Sequence, residues 1–74
     1  LVDDDAAVRG VTAAQLQDLG CRVAEAGSAE EALGRLRAEP DIALLLTDVA
    51  MRGGDAAALA REAGALRPGL PVLF

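Results

Sequence analysis

The sequence predicts an α/β fold, a doubly wound parallel sheet with the element order β-α-β-α-β-α-β. Three observations support this prediction. Segments of helical period separate short apolar runs, one of those runs is continuously apolar, and acidic residues directly follow two of them. Strands that are joined through helices must run parallel, with right-handed crossovers. The chain has 74 residues, 53% of them hydrophobic, which is enough for one small domain and excludes a second.

The first strand is predicted at residues 1–2, and an acidic turn leads from it into a helix. Gly20 is typical of the residue just past a helix end. Asp5 lies closest to the helix start, so we expect its carboxylate to cap the free amides there. The apolar positions of this amphipathic helix recur at helical spacing: Val8, Val11, Leu16 and Leu19.

The second strand is predicted at residues 22–26, and a second helix follows it. Ser28 and Glu31 have the spacing of a capping box, in which each residue satisfies a free amide near the other. Pro40 disfavours helical geometry in the residue before it, so this helix is expected to end near Glu39.

The third strand is predicted at residues 42–46, where a continuous apolar run is typical of a central strand covered on both faces. Residues 51–55 form a Gly-containing loop, and residues 56–66 are predicted to form an Ala-rich helix. A turn rich in Pro and Gly at residues 67–71 then leads into a fourth strand at residues 72–74.

The charge and cysteine content narrow the classes of function. Twelve acidic residues oppose seven basic ones, for a net charge of -5, and the scattered arginines form no stripe that would bind nucleic acid directly. Cys21 is the one cysteine, so no intrachain disulfide forms, and we expect it to be a small buried hydrophobe. With no signal segment and no apolar run of membrane-spanning length, we expect a cytoplasmic segment without membrane contact.

Acidic residues follow two of the predicted strands. Residues 3–5 are all Asp and follow the first strand, and Asp48 follows the third. The binding crevice of an open parallel sheet lies at the carboxyl ends of its strands, so these carboxylates meet at one edge if the strands are neighbours. Two charges about 4 Å apart repel by about 4 kcal/mol near a protein surface, so the cluster should raise a pKa or hold a cation. Oxygen ligands without histidine favour Mg²⁺. The structural alternatives are helix capping and an ordinary strand-end turn.

Three runs of the sequence resemble the receiver domains of two-component response regulators and hybrid histidine kinases. They are Leu-Val-Asp-Asp-Asp-Ala-Ala-Val-Arg at residues 1–9, Leu-Leu-Leu-Thr-Asp-Val-Ala-Met at residues 44–51 and Arg-Pro-Gly-Leu-Pro-Val at residues 67–72. The resemblance implies a flavodoxin-like fold with strand order 2-1-3-4-5. It also implies that residues 1–74 are a partial receiver domain, a (βα)3β fragment without the last helix-strand-helix, which we expect to be poorly folded in isolation.

The resemblance also implies a site and a partner. Asp48 would accept a phosphoryl group from the phosphohistidine of a histidine kinase or histidine phosphotransfer protein. Asp3, Asp4 and Asp48 would hold Mg²⁺, with the backbone carbonyl of Ala50 as a further ligand. The domain would then be a phosphoacceptor and not an enzyme.

Three departures from the family pattern keep alternatives open. Arg52 and Ala56 stand where the family usually has Pro and Gly, and the chain has no Lys, which receivers carry after their fifth strand. One alternative is a receiver-like interaction module that is not phosphorylated and whose acidic cluster is vestigial. The other is a Mg²⁺-dependent phosphatase of the haloacid dehalogenase type, whose Asp-x-Asp pattern residues 3–5 mimic.

Overall fold

The chain combines helices with parallel β pairing, which confirms the predicted α/β class. The computed structural model describes residues 1–49 and 56–74. The two strands pair in parallel, with Leu45 opposite Val72. The elements are α1 (Ala6–Asp18), α2 (Ala29–Ala38), β1 (Leu45–Leu46), α3 (Ala56–Leu66) and β2 (Val72–Leu73).

The first predicted strand lies between two other extended segments. Val2 forms a parallel bridge with Ala26 on one side and with Thr47, which follows β1, on the other. Its amide donates to Leu46 O at 2.8 Å, and the Asp3 amide donates to Ala26 O at 3.1 Å. Together with the pairing of β1 and β2, these bridges give the segment order second, first, third, fourth.

The regular β-strands are shorter than the sequence predicts. The predicted strands at residues 1–2 and 22–26 are each reduced to a single bridged residue, Val2 and Ala26, and the predicted strand at residues 42–46 is regular only at β1. The expected cover on both faces of this run is also wrong. Leu45 is 3% exposed, but its neighbour Leu44 is 45% exposed, because α2 and α3 build the core on the Leu45 face.

The core lies where α2 and α3 pack together against the extended segments. Many of its side chains are small, and Leu59 and Val2 are the largest that are fully buried. A core of this composition buries little area per residue, so each of its large side chains contributes a substantial share of the stability. The buried cluster consists of Val2, Ala26, Ala32, Leu33, Leu36, Leu45, Leu59 and Ala63.

The buried face of α1 differs from the predicted one. Ala13 is buried and Leu16 is half-buried, whereas Val8, Val11 and Leu19 are exposed. A helix turns by about 100° per residue, so Val11, two residues before Ala13, lies on nearly the opposite side of α1. Helical spacing therefore predicted α1 correctly but predicted the wrong side of it to be buried.

The end of α1 explains why Cys21 is exposed and not buried as predicted. Gly20 has a φ of 93°, and its amide donates to Gln17 O at 2.9 Å. The Cys21 amide donates to Leu16 O at 3.1 Å, which completes a Schellman motif. Cys21 therefore lies in the exposed turn that ends α1, outside the core.

The boundaries of α2 and α3 follow the prediction. Ser28 Oγ accepts from the Glu31 amide at 3.1 Å, and Glu31 Oε2 accepts from the Gly27 amide at 3.4 Å. This is the expected capping box, with the reciprocal bond on the preceding residue. Glu39 is the C-cap of α2, and α3 spans the predicted residues 56–66.

Arg67 ties the end of α3 to the segment between α2 and β1. Its guanidinium donates to Pro40 O at 2.9 Å, to Ile42 O at 2.5 Å and to Glu39 O at 3.4 Å. These bonds give a charged donor to the open carbonyl of the C-cap of α2, Glu39, and to two carbonyls of the segment that follows it.

Among the described helices, none has both the length and the apolar character that crossing a membrane requires.

Candidate functional site

The backbone places Asp3 and Asp48 side by side. Their predecessors, Val2 and Thr47, face each other in a parallel bridge, and the Asp48 amide donates to Val2 O at 2.9 Å. Each Asp is the first residue beyond a paired position, so both side chains leave the sheet at its carboxyl-terminal edge. This is the arrangement that the sequence predicted for neighbouring strands.

Three of the predicted site residues form a carboxylate cluster. Asp3, Asp4 and Asp48 each offer one oxygen, and these three oxygens all lie within 4.8 Å of one another. Burial decreases across the cluster, because Asp3 is 9% exposed, Asp4 is half-buried and Asp48 is exposed. The cluster therefore opens to solvent on the Asp48 side.

The carboxylate cluster has the donor chemistry that Mg²⁺ prefers. Its ligand atoms are all carboxylate oxygens, and a Mg²⁺ ion bound at 2.0–2.1 Å per ligand holds opposite oxygens about 4 Å apart. The separation of up to 4.8 Å is slightly wider than this span, so small side-chain rotations would bring the three oxygens onto one ion. The residues present thus fit a Mg²⁺ site with room for water.

Asp5 has a structural role, as predicted. Its Oδ1 accepts from the amides of Ala7 at 3.0 Å and Val8 at 3.1 Å, which makes it the N-cap of α1. Its own amide donates to Asp3 Oδ1 at 2.9 Å. Because Asp5 turns its carboxylate onto the helix, the Asp-x-Asp pattern of residues 3–5 does not supply the paired carboxylates of a phosphatase of the haloacid dehalogenase type.

Replacing Asp5 with Ala should lower the free energy of unfolding by about 1 kcal/mol, because two amides at the start of α1 lose their acceptor. Mg²⁺ affinity should remain, since Asp5 lies outside the carboxylate cluster. Urea unfolding followed by circular dichroism and calorimetric titration with MgCl₂ measure the two effects. Asp5→Asn is the matched control, because Asn also caps helices. A large loss of Mg²⁺ affinity in Asp5→Ala alone would contradict this division of roles.

Arg9 has contacts beside the site that the sequence analysis did not predict. Arg9 lies one turn beyond the N-cap, its Nη1 donates to Asp3 O at 2.8 Å, and its Nε donates to Glu25 Oε1 at 3.3 Å. Arg9 is close in sequence to the acidic turn, which was the available signal. Glu25 is distant in sequence, so the pair depends on the fold.

Among the described residues, Thr47 restrains the backbone beside Asp48. Thr47 is buried, and its hydroxyl donates to Asp48 O at 3.1 Å, which restrains the backbone at the strand end. Ala50, the predicted carbonyl ligand, and Arg52 lie outside the described residues. The role of the Ala50 carbonyl stays a prediction.

Comparison with known proteins adds one finding. The family model of the response regulator receiver domain matches the chain over residues 1–74. Neither a curated protein nor a solved structure gives a significant match. The match covers the full sequence, including both strand ends that carry the carboxylate cluster.

Proposed function

Because the chain belongs to the response regulator receiver domain family, whose model matches residues 1–74, we propose that it is the phosphoacceptor of a two-component phosphorelay. Asp48 is the residue phosphorylated, and the donor is the phosphohistidine of a histidine kinase or a histidine phosphotransfer protein. Asp3, Asp4 and Asp48 hold Mg²⁺, and the chain receives the phosphoryl group without turning over a substrate of its own.

The observation that carries this proposal is the graded exposure of the carboxylate cluster. Asp48 is the exposed member, so a phosphohistidine on a partner protein can reach it. Asp3 is 9% exposed and bonds the Asp5 amide, so it is suited to holding a cation and not to attacking a substrate. This gradient of exposure supports Asp48 as the nucleophile and Asp3 as a metal ligand.

The transfer balances as a displacement at phosphorus. A carboxylate oxygen of Asp48 attacks the phosphorus atom, an O–P bond forms, and the N–P bond to the histidine breaks. The histidine nitrogen leaves with the electron pair, and the product on Asp48 is an acyl phosphate. A bound Mg²⁺ ion would neutralise the negative charge on the phosphoryl oxygens. Two bonds from outside the carboxylate cluster hold the Asp48 backbone: its amide donates to Val2 O, and the Thr47 hydroxyl donates to its carbonyl.

Intact-mass measurement tests the proposal on the protein at its natural full length. Incubation with MgCl₂ and acetyl phosphate should add one phosphoryl group, and EDTA should prevent the addition. A cognate histidine kinase with ATP should produce the same adduct. Failure of both donors, together with no Mg²⁺ binding at millimolar concentration, would overturn the proposal in favour of an interaction module on the same fold.

A further inference from the structure

We propose that Arg9 is a positioning residue for the Mg²⁺ site, because it holds the backbone of Asp3 in the place from which the Asp3 carboxylate faces Asp4 and Asp48. The inference rests on the proposed function and concerns a residue that is not itself a ligand. Arg9 donates to the Asp3 carbonyl at 2.8 Å, on the backbone of the most buried member of the carboxylate cluster.

The guanidinium of Arg9 is held in turn. Its Nε lies 3.3 Å from Glu25 Oε1, and the two side chains are 21% and 42% exposed, respectively. A partly buried, charge-assisted bond of this kind fixes the fork of an arginine better than an exposed pair does. Glu25 lies next to Ala26, which bridges Val2, so the anchor belongs to the segment that neighbours Asp3.

Gly27 provides the space for this arrangement. A Cβ built on Gly27 would lie 3.1 Å from Arg9 Nη1, closer than most real Cβ contacts. The Arg9 guanidinium therefore packs directly against the backbone of Gly27, between residues 25–27 and the acidic turn at residues 3–5. Any larger residue there would press on the same nitrogen that donates to Asp3.

Asp3 is held at three points, and Arg9 supplies one of them. The Asp3 amide donates to Ala26 O at 3.1 Å, and the Asp3 carboxylate accepts from the Asp5 amide at 2.9 Å. The carbonyl bond to Arg9 fixes the peptide plane between Asp3 and Asp4, which sets the directions in which the two side chains leave the chain. Loss of that bond would let the carboxylates of both Asp3 and Asp4 move away from Asp48.

The sign of the effect separates positioning from electrostatics. Arg9 carries a positive charge beside a cation site, so removal of the charge alone would strengthen Mg²⁺ binding. Loss of the positioning contact would instead weaken Mg²⁺ binding. Residues that orient metal ligands typically change metal affinity by about 10- to 100-fold when they are replaced.

Calorimetric titration with MgCl₂ of the protein at its natural full length tests the inference. Arg9→Met should weaken Mg²⁺ binding by about 10- to 100-fold. Arg9→Lys should bind with intermediate affinity, because it keeps the charge and one donor but loses the fork. The matched control is Arg67→Met, since Arg67 also binds backbone carbonyls but far from the carboxylate cluster along the chain. It should lower thermal stability and leave Mg²⁺ affinity unchanged.

Hydrogen exchange in the metal-free protein provides a second readout. The Asp5 amide bonds the Asp3 carboxylate, so its exchange rate reports how well that carboxylate is held. Exchange there should accelerate in Arg9→Met and, to a smaller extent, in Arg9→Lys, but not in Arg67→Met. Unchanged exchange, or Mg²⁺ affinity in Arg9→Met equal to or above that of the wild type, would overturn the inference. Absence of Mg²⁺ binding in the wild type would overturn the Mg²⁺ site of the proposed function, and accelerated exchange in Arg9→Met would then show that Arg9 positions Asp3 without serving a cation.

Discussion

Asp48→Asn should abolish phosphorylation of the chain. The Asn amide carries no negative charge and is a poor nucleophile, so no O–P bond forms even when Mg²⁺ and acetyl phosphate are present. The backbone bonds at this position should persist, because the Asp48 amide still donates to Val2 O and Thr47 still donates to the carbonyl. Intact mass should then show only the unmodified chain, while circular dichroism shows an unchanged fold.

Two control variants make this result specific to the site. Asp18→Asn removes an exposed carboxylate at the end of α1, away from the carboxylate cluster, and should be phosphorylated like the wild type. Asp3→Asn keeps the nucleophile but removes a proposed metal ligand, so its phosphorylation should require a higher Mg²⁺ concentration. A phosphoryl adduct of normal yield in Asp48→Asn would show that another residue is the acceptor.

The candidate site was predictable because sequence order determines which groups follow which strands. Asp3 and Asp48 lie together because parallel strands end at one edge, and this holds even though the first strand is reduced to one bridged residue, Val2. The caps at Asp5 and Ser28 were predictable for the same reason. Both bond amides two or three residues away, so only local spacing matters.

Burial was not predictable to the same degree. Val8 and Val11 are exposed because the packed side of α1 depends on what lies against the helix, and no helical period contains that information. Cys21 is exposed because it lies in the turn that ends α1. Leu44 is exposed for a related reason, since strand composition does not say which face is covered. The role of Arg9 likewise depends on its distant partner, Glu25.

Leu59→Ala should give the largest loss of stability among single core replacements, about 2–5 kcal/mol. Leu59 is 1% exposed and lies on α3, in the cluster that joins α3 to α2 and to β1. Several of its fellow core residues are alanines, including Ala32 and Ala63. Such short side chains cannot move to fill the cavity, so the loss should be in the upper part of that range.

Leu19→Ala is the matched control, because it removes the same atoms from a side chain that is 79% exposed, and its effect should stay within about 0.5 kcal/mol. Urea unfolding of both variants in the protein at its natural full length gives the comparison. Small domains have unfolding free energies near the low end of about 5–15 kcal/mol, so Leu59→Ala should populate the unfolded state measurably even without urea. Equal midpoints for the two variants would show that α3 is not part of the cooperative core. The carboxylate cluster would then owe its geometry to α1 and the neighbouring segments alone.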